Sequence, residues 1–190
     1  SYLGTEGQPI ARLEGGYASY TKKYANGNLV ELRYFDTAGN VMVRNDTGYA
    51  ICKKQYDEYG RCISEFYYDR DEGRVINTES YCSGLSYQFD ERGNKTYIWY
   101  KGLDGENAER EDFGAALYFK VYDEYDRLIW EAYYNTDLKL VIRKDLGYAG
   151  IRREYAGIHV ERLEYVGTDE KAISNDDVGY AVCVDGYNES

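Results

Sequence analysis

The single histidine is the first residue to weigh for acid–base catalysis. His159 lies in a turn, with Glu154 and Glu161 close by in the sequence. A catalytic histidine needs a nucleophile and an orienting acid around it. The G-x-S-x-G, S-x-x-K and H-E-x-x-H motifs do not occur in the sequence. We therefore predict that His159 is a surface turn residue.

Adjacent carboxylates could supply the acid and the base of a glycosidase. Pairs occur at one position of a recurring turn: Asp57-Glu58, Asp90-Glu91 and Asp123-Glu124. A catalytic pair is a single convergence of two side chains, whereas these pairs recur in successive turns, where Asp is a common residue. We predict that they are solvated turn residues and that the protein is not an enzyme.

Acidic segments and cysteines are the groups that could hold a metal ion. The segment DRDEG at 69–73 and the pair Asp176-Asp177 offer oxygen ligands suited to calcium, but neither has the spacing of an EF-hand loop. The cysteines, which have no C-x-x-C spacing, are Cys52, Cys62, Cys82 and Cys183. We predict no metal and no cofactor. Cys52 and Cys183 share one repeat position and are expected to fill the core, while a disulfide between them would require a closed ring.

Charge and hydropathy exclude two classes of partner. The chain has 23 Lys and Arg against 34 Asp and Glu, which gives a net charge of −11. Nucleic acid and anionic lipid both require clustered cations, so neither is expected as a partner. No apolar stretch is long enough for a membrane span, and no charged and then apolar leader is found in this chain.

The 24 tyrosines follow a repeat. Tyr2, Tyr34, Tyr67, Tyr100, Tyr133 and Tyr165 are spaced by 32 or 33 residues. A second position, fifteen residues later, holds Tyr17, Tyr49, Cys82, Ala115, Tyr148 and Tyr180. A third, seven residues further on, holds Tyr24, Tyr56, Phe89, Tyr122, Tyr155 and Tyr187. Agreement of these positions across six copies indicates tandem repeats.

Each copy predicts a β-hairpin. Eight-residue runs rich in aromatic and β-branched residues flank a turn with Gly or Asp, and Gly27, Gly60 and Gly93 can supply a positive φ there. A short apolar pair such as Val41-Met42 is expected to form a corner strand before a polar link such as RNDTG.

Alternation along the strands assigns side chains to faces. In the first copy the inward face should carry Ala18, Tyr20, Lys22 and Tyr24 on the first strand and Val30, Leu32 and Tyr34 on the return strand. Tyr67 takes the place of Tyr34 in the next copy, and the aromatics of stacked copies should form ladders. The opposite face has an aromatic row, which is either a second packing layer or an exposed strip: Tyr68, Tyr97, Trp99, Trp130 and Tyr134.

The expected fold is all-β, with six hairpin repeats that form one elongated β-solenoid or spiralling sheet, since one hairpin cannot bury its face alone. A closed propeller-like ring is the alternative. Residues 1–190 form one repeat domain, with copies at about 1–32, 33–65, 66–98, 99–131, 132–163 and 164–190, the last incomplete. Open sheet edges would then predict either a fragment of a longer protein or an edge-to-edge dimer.

The turns YDEYGR (56–61), FDERGN (89–94) and YDEYDR (122–127) resemble the Tyr-Asp (YD) repeats of RHS-type bacterial surface and secreted proteins. The larger unit YFDTAGNV…GYA…YDEYGR is similar to tandem Tyr/Gly repeats in surface proteins of Gram-positive bacteria. The resemblance covers nearly the whole chain and implies an extracellular β-repeat scaffold for shells, adhesion or wall attachment. A looser likeness links the chain to aromatic hairpin repeats that bind choline or glucan.

These observations together predict a non-catalytic module outside the cell or on its surface, which acts as a spacer or as a binding and adhesion scaffold. The alternative is a carbohydrate-binding module in which the outer aromatic row stacks on cell-wall or host glycan. A protein partner is also compatible with such a surface.

Overall fold

The computed structural model describes residues 2–175 and 179–184. Within these residues the chain forms eleven β-strands and no helix, so the predicted all-β class is confirmed. The strands are β1 (Ser19–Ala25), β2 (Asn28–Phe35), β3 (Ile51–Tyr56), β4 (Cys62–Tyr68), β5 (Gly84–Phe89), β6 (Lys95–Lys101), β7 (Leu117–Tyr122), β8 (Leu128–Tyr134), β9 (Gly150–Ala156), β10 (His159–Val166) and β11 (Val182–Val184). The described residues contain no helix that is both long and apolar enough to cross a membrane.

The strands follow one another across a single antiparallel sheet in sequence order, with β1 and β11 at its two ends. The sheet is therefore open, and the alternative of a closed propeller-like ring is wrong. The chain divides into two compact units: unit 1 is Ser1–Ser86 with Tyr100–Glu106, and unit 2 is Tyr87–Trp99 with Asn107–Ser190.

A five-residue turn closes the longer hairpins. In the second copy the Asp57 carboxylate accepts hydrogen bonds from the backbone N–H groups of Tyr59 (3.0 Å) and Arg61 (2.9 Å). Gly60 has φ 76° and donates its N–H to the Asp57 carbonyl, a conformation that glycine adopts without a Cβ penalty. The same pattern recurs at Asp90 and at Asp123, where Asp126 takes the glycine position with φ 61°. The sequence pattern D-x-x-G therefore encodes this turn directly.

The same turn is used a second time in each of several copies, where the chain leaves the return strand. Asp36 accepts the N–H groups of Ala38 and Asn40, both at 2.9 Å, and the chain comes back to form a single bridge between Phe35 and Val41. The predicted corner strand is thus an isolated bridge, because the tight turn leaves room for one paired residue.

Tyrosine rings fill the core of each unit. In unit 1 the rings of Tyr17 and Tyr34 have centroids 4.7 Å apart, and those of Tyr49 and Tyr67 are 5.0 Å apart. Each of these four side chains is less than one-tenth exposed. Unit 2 has the same arrangement at Tyr148 and Tyr165 (4.9 Å). The return-strand tyrosines Tyr34 and Tyr67 thus face inward as predicted, while their ring partners Tyr17 and Tyr49 come from the position just before the first strand of each hairpin.

The first strand departs from that prediction. Tyr20 is 42% exposed and Tyr24 is 58% exposed, although both were assigned to the inward face. Among the described residues β1 pairs with β2 only, so no earlier hairpin covers its rings. Sequence alternation assigns a face correctly but does not show whether a neighbour covers it.

Glycine inside a strand allows a close approach at Gly150. This residue pairs with Ala132 across β8 and β9. A Cβ there would lie 2.6 Å from the Glu131 carbonyl oxygen and 2.7 Å from the Trp130 indole. The indole therefore lies against the backbone of the neighbouring strand, in space that any larger residue would occupy.

We expect Gly150→Ala to destabilise the protein by about 1–3 kcal/mol, because the added methyl group meets a backbone oxygen that cannot move away. The free energy of unfolding, from urea titration, measures the loss. Gly167→Ala is the matched control, since its Cβ would have no neighbour nearer than 3.5 Å. Equal stability of the two variants would contradict the proposed close approach.

Candidate binding surface on the aromatic face

The outer face of unit 2 carries four of the five predicted stacking residues. The strand register places Trp99, Leu117 and Tyr134 opposite one another, and Tyr97 opposite Phe119. Trp130 lies on the same face, opposite Val121 and Arg152. We call this set, Tyr97, Trp99, Phe119, Trp130 and Tyr134, the aromatic face. Tyr68 lies in unit 1 and is not part of it.

The rings of the aromatic face are half-buried. The Tyr97 and Phe119 centroids are 4.8 Å apart, and those of Phe119 and Tyr134 are 6.1 Å apart with nearly perpendicular planes. Edge-to-face contacts of this kind are favourable for aromatic pairs. The predicted row therefore packs as a layer and still exposes part of each ring.

A small apolar cavity opens in this face. It has a volume of about 170 Å³ and is lined by Tyr97, Leu117, Phe119, Tyr134 and Leu138. Leu138 comes from the turn after β8, is 60% exposed and has φ 60°. A leucine in this left-handed region is strained, which costs of order 1–3 kcal/mol. The strained turn holds an apolar side chain at the lip of the cavity.

Two other copies place a charged residue at the same turn position. Glu72 (φ 64°) in unit 1 accepts hydrogen bonds from Arg33 at 2.6 Å and Lys53 at 2.7 Å. Glu170 (φ 61°) in unit 2 accepts one from Arg152 at 3.2 Å. This position therefore fastens the turn onto the outer face, by ion pairs in those copies and by apolar contact at Leu138.

Cations cover two rings of the predicted row. The Arg152 guanidinium lies 5.0 Å from the centroid of Trp130, and the Lys53 ammonium lies 4.8 Å from that of Tyr68. Cation–π contacts of this kind are worth about 0.5–1 kcal/mol at exposed sites. Tyr68 thus belongs to the charged outer face of unit 1, and a ligand on Trp130 would share the ring with Arg152.

Arginines that the sequence analysis treated as parts of polar links hold the tyrosine ladder. Arg44 donates from Nε (2.9 Å) and Nη2 (2.5 Å) to the two oxygens of Asp46, and from Nη1 to the Tyr34 hydroxyl at 2.9 Å. Its guanidinium lies 4.8 Å from the Tyr34 centroid and 5.9 Å from that of Tyr49. We call this arrangement the arginine clamp. The link is therefore part of the core and not a solvated connection.

The clamp recurs in unit 2. Arg143 binds both oxygens of Asp145 at 2.7 Å and donates to the Tyr133 hydroxyl at 3.1 Å. The signal was present in the sequence as an Arg ten residues after the ladder tyrosine, in R-x-D-x-G-Y. What the sequence did not show was that the guanidinium turns back onto the rings.

One copy supplies its ring from a different position. Ala115 stands where other copies have tyrosine, and Phe113, two residues earlier, is 3% exposed. The guanidiniums of Arg110 and Arg143 lie 4.0 and 4.3 Å from its centroid. Phe113 therefore takes over the apolar contact that the missing tyrosine would make.

A buried charge pair joins the fourth and fifth copies in unit 2. Glu131, which is 7% exposed, accepts hydrogen bonds from Arg153 and from the Tyr118 hydroxyl. Burial, together with the bond to Glu131, raises the pKa of Tyr118 above its ordinary value. The same burial lowers the pKa of Lys120. Glu131 therefore has both a charged and a neutral donor across the strands, as a buried carboxylate requires.

The other candidate residues lie in separate places. His159 begins β10 and is exposed. Asp57, Asp90 and Asp123 serve as turn acceptors, as described above, while Glu58, Glu91 and Glu124 are exposed. The described residues include no group of three or more His, Cys, Asp or Glu that could hold a metal ion. Asp176-Asp177 lie outside the described residues.

No disulfide joins the four cysteines, all of which lie in the described part of the chain. Cys52 is 4% exposed and lies in the tyrosine core of unit 1, as predicted for a core residue. Burial raises the pKa of Cys52 to about 12, so its thiol stays protonated at neutral pH and unreactive. Cys52 and Cys183 form no disulfide, in agreement with the open sheet.

No protein-family model and no curated protein matches the chain.

We expect Arg44→Lys to destabilise the protein by about 1–3 kcal/mol, because a lysine keeps the charge but cannot bind Asp46 at two points and also reach the Tyr34 hydroxyl. Urea unfolding checks the value. Arg70→Lys is the control, since the Arg70 and Asp71 side chains are 71% and 82% exposed. An Arg44→Lys variant as stable as the control would show that the arginine clamp does not stabilise the core.

Stability should fall in acid. The Arg44 guanidinium lowers the pKa of Asp46, and the backbone N–H of Asn40 lowers that of Asp36. A lowered folded-state pKa contributes stability that is complete above the unfolded value, near 3.9, and is lost as the pH falls through the lower folded value. We expect the free energy of unfolding to decline below about pH 5.

The variant Asp36→Asn tests the sign of this effect. An amide at this position can still accept the turn hydrogen bonds, as Asn135 does from Asp137 and Lys139, but it does not titrate. The acid decline should be smaller in the variant than in the wild type, as measured by urea unfolding from pH 5 to 2.5. An unchanged decline would show that Asp36 does not contribute.

Proposed function

We propose that this chain is a non-catalytic repeat module that acts as a spacer or as a binding and adhesion scaffold outside the cell or on its surface. One observation carries the proposal: the arginine–aspartate pairs and the turn aspartates make structural contacts that recur from copy to copy. Arg44 with Asp46 repeats as Arg143 with Asp145, and Asp57 repeats as Asp90 and Asp123 in the turns. A recurring contact stabilises an array, whereas a catalytic group is needed once.

Carbohydrate binding by the aromatic face is the second candidate. Its support is the group of half-buried rings in unit 2 and the cavity of about 170 Å³ beside Leu138. Ring faces that are partly exposed and held rigid by neighbours suit stacking on a sugar ring. The partner would be cell-wall or host glycan, and a protein with an apolar side chain for the cavity is the competing partner.

The extracellular location and the relationship to YD-type repeats are parts of the same proposal. They are supported by the D-x-x-G turns and by tyrosine spacings of 32 or 33 residues. Surface proteolysis of intact cells that produce the protein would test the location. An edge-to-edge dimer is proposed because β1 pairs with one strand only in the described part of the chain, and light scattering over a range of concentrations would test it.

Tryptophan fluorescence distinguishes the spacer from the glycan-binding module. The chain has only two tryptophans, Trp99 and Trp130, and both belong to the aromatic face. A spacer should show unchanged emission across a panel of soluble glycans, whereas a glycan-binding face should show a saturable change. Tyr134→Ala should then weaken binding, because it removes a ring that lines the cavity.

Two controls complete this experiment. Tyr68→Ala, on the outer face of unit 1, should leave any glycan affinity of the aromatic face unchanged. Incubation with the same glycans should yield no hydrolysis products. Hydrolysis that is abolished by Glu58→Gln or Glu91→Gln would overturn the non-catalytic proposal.

A further inference from the structure

A recess lies between the tips of the first two hairpins, in unit 1. The first hairpin closes by a two-residue turn between Ala25 and Asn28, while the second uses the longer turn around Asp57. The shorter tip leaves a space of about 490 Å³ beside the longer one, within the range of about 300–1,000 Å³ found for small-molecule sites. We call this space the tip recess.

An aromatic ring stands at the tip recess in a fixed position. Tyr59 is 75% exposed, its N–H donates to the Asp57 carboxylate at 3.0 Å, and the Arg61 guanidinium lies 4.9 Å from its ring centroid. Tyr56, also in the lining, is held by a 2.9 Å hydrogen bond from its hydroxyl to the Leu29 carbonyl. A ligand would therefore meet rings that are already positioned, which lowers the entropic cost of binding.

The polar groups of the tip recess are amides and carboxylates. Asn26, Asn28 and Glu58 line it together with Val30. The amides can donate and accept, while Glu58 can only accept when ionised. Asp57 is already engaged by its turn and by Arg61 at 2.6 Å. No lysine or arginine is among the described residues that line the recess.

The tyrosine rings, amides and carboxylates of the tip recess together suit one class of ligand. A tyrosine face can stack on the C–H groups of a pyranose ring, and amides can exchange hydrogen bonds with its hydroxyls. A carboxylate-lined recess on a chain of net charge −11 repels uronic acids, phosphates and sulfates. We propose that the tip recess binds a short neutral saccharide through Tyr59, Asn28 and Glu58. This inference rests on the binding role proposed above and places that role on a second surface, distinct from the aromatic face.

The other short hairpin provides an internal control. In unit 2 a recess of about 520 Å³ is lined by Tyr125, Arg127, Tyr155, Gly157 and Ile158. The Arg127 guanidinium lies 4.9 Å from the Tyr125 centroid and 4.8 Å from that of Tyr155, and it donates to the Gly157 carbonyl. Its lining has a cation in place of the amides, so the neutral saccharide should prefer the tip recess.

The experiment is an NMR titration of the full chain with neutral gluco-, manno- and galacto-oligosaccharides and with oligogalacturonate as the acidic counterpart. At least one neutral glycan should shift the amide resonances of residues 26–28 and 57–60, with smaller shifts at 125–127 and with little effect from oligogalacturonate. Tyr59→Ala should weaken binding roughly tenfold, which corresponds to about 1.4 kcal/mol. Tyr59→Phe, which keeps the ring, should stay within about twofold of the wild type.

Further variants distinguish glycan binding at the tip recess from glycan binding at the aromatic face. Arg70→Lys, at a side chain that is 71% exposed and belongs to neither surface, should leave the affinity unchanged, and Glu58→Lys should raise the affinity for oligogalacturonate relative to the neutral glycan. Neutral-glycan binding that is lost in Trp130→Phe but not in Tyr59→Ala would overturn the tip recess and support the aromatic face. Absence of neutral-glycan binding would also overturn the tip recess, while the spacer role would stand.

Discussion

The arginine clamp is the interaction on which the rest of the structure depends. Tyrosine supplies most of the buried rings, but each buried hydroxyl needs a partner and each ring needs a neighbour. Arg44 answers both needs, because one guanidinium binds Asp46, donates to the Tyr34 hydroxyl and lies over the rings. The carboxylate two residues later fixes its direction. The third copy has Asn77 at the arginine position and Cys82 at the tyrosine position, and there the Tyr67 hydroxyl donates to the Glu65 carboxylate instead.

Turn chemistry sets the period around that core. The D-x-x-G turn closes the hairpin and also reverses the chain after the return strand, so one local motif determines two corners of the unit. The fourth position of the motif also accepts residues other than glycine. A positive φ is found there at Asp126, Leu138, Glu72 and Glu170. Each keeps a side chain where glycine would have none, and those of Glu72 and Glu170 fasten their turns to the sheet. The shorter hairpin tip at Ala25–Asn28 leaves a recess beside the next tip.

A regular interior with variable outer positions supports the scaffold role that we propose. In unit 1 the outer face is charged, with Glu72 bound by Arg33 and Lys53. In unit 2 the same turn position is apolar at Leu138, which lines a cavity among aromatic rings, and charged at Glu170, which is bound by Arg152. Both faces rest on the same backbone pairing, so substitutions that change the chemistry of the surface need not disturb the ladder. Binding specificity can then change while the fold is retained.

The sequence by itself determined the period, the all-β class, the hairpins and the inward ladder tyrosines such as Tyr34 and Tyr67, because spacing, alternation and turn residues are local signals. Only the tertiary structure decided that the sheet is open, that Tyr24 lies exposed at an edge, and that Tyr68 belongs to unit 1 while the other rings of the predicted row belong to unit 2. It also decided that the Arg44 guanidinium turns back onto the tyrosine rings and that Leu138 lines the cavity in the aromatic face. These features depend on which strand lies beside which and on what covers each face, and such contacts between distant residues leave no periodic mark in the chain.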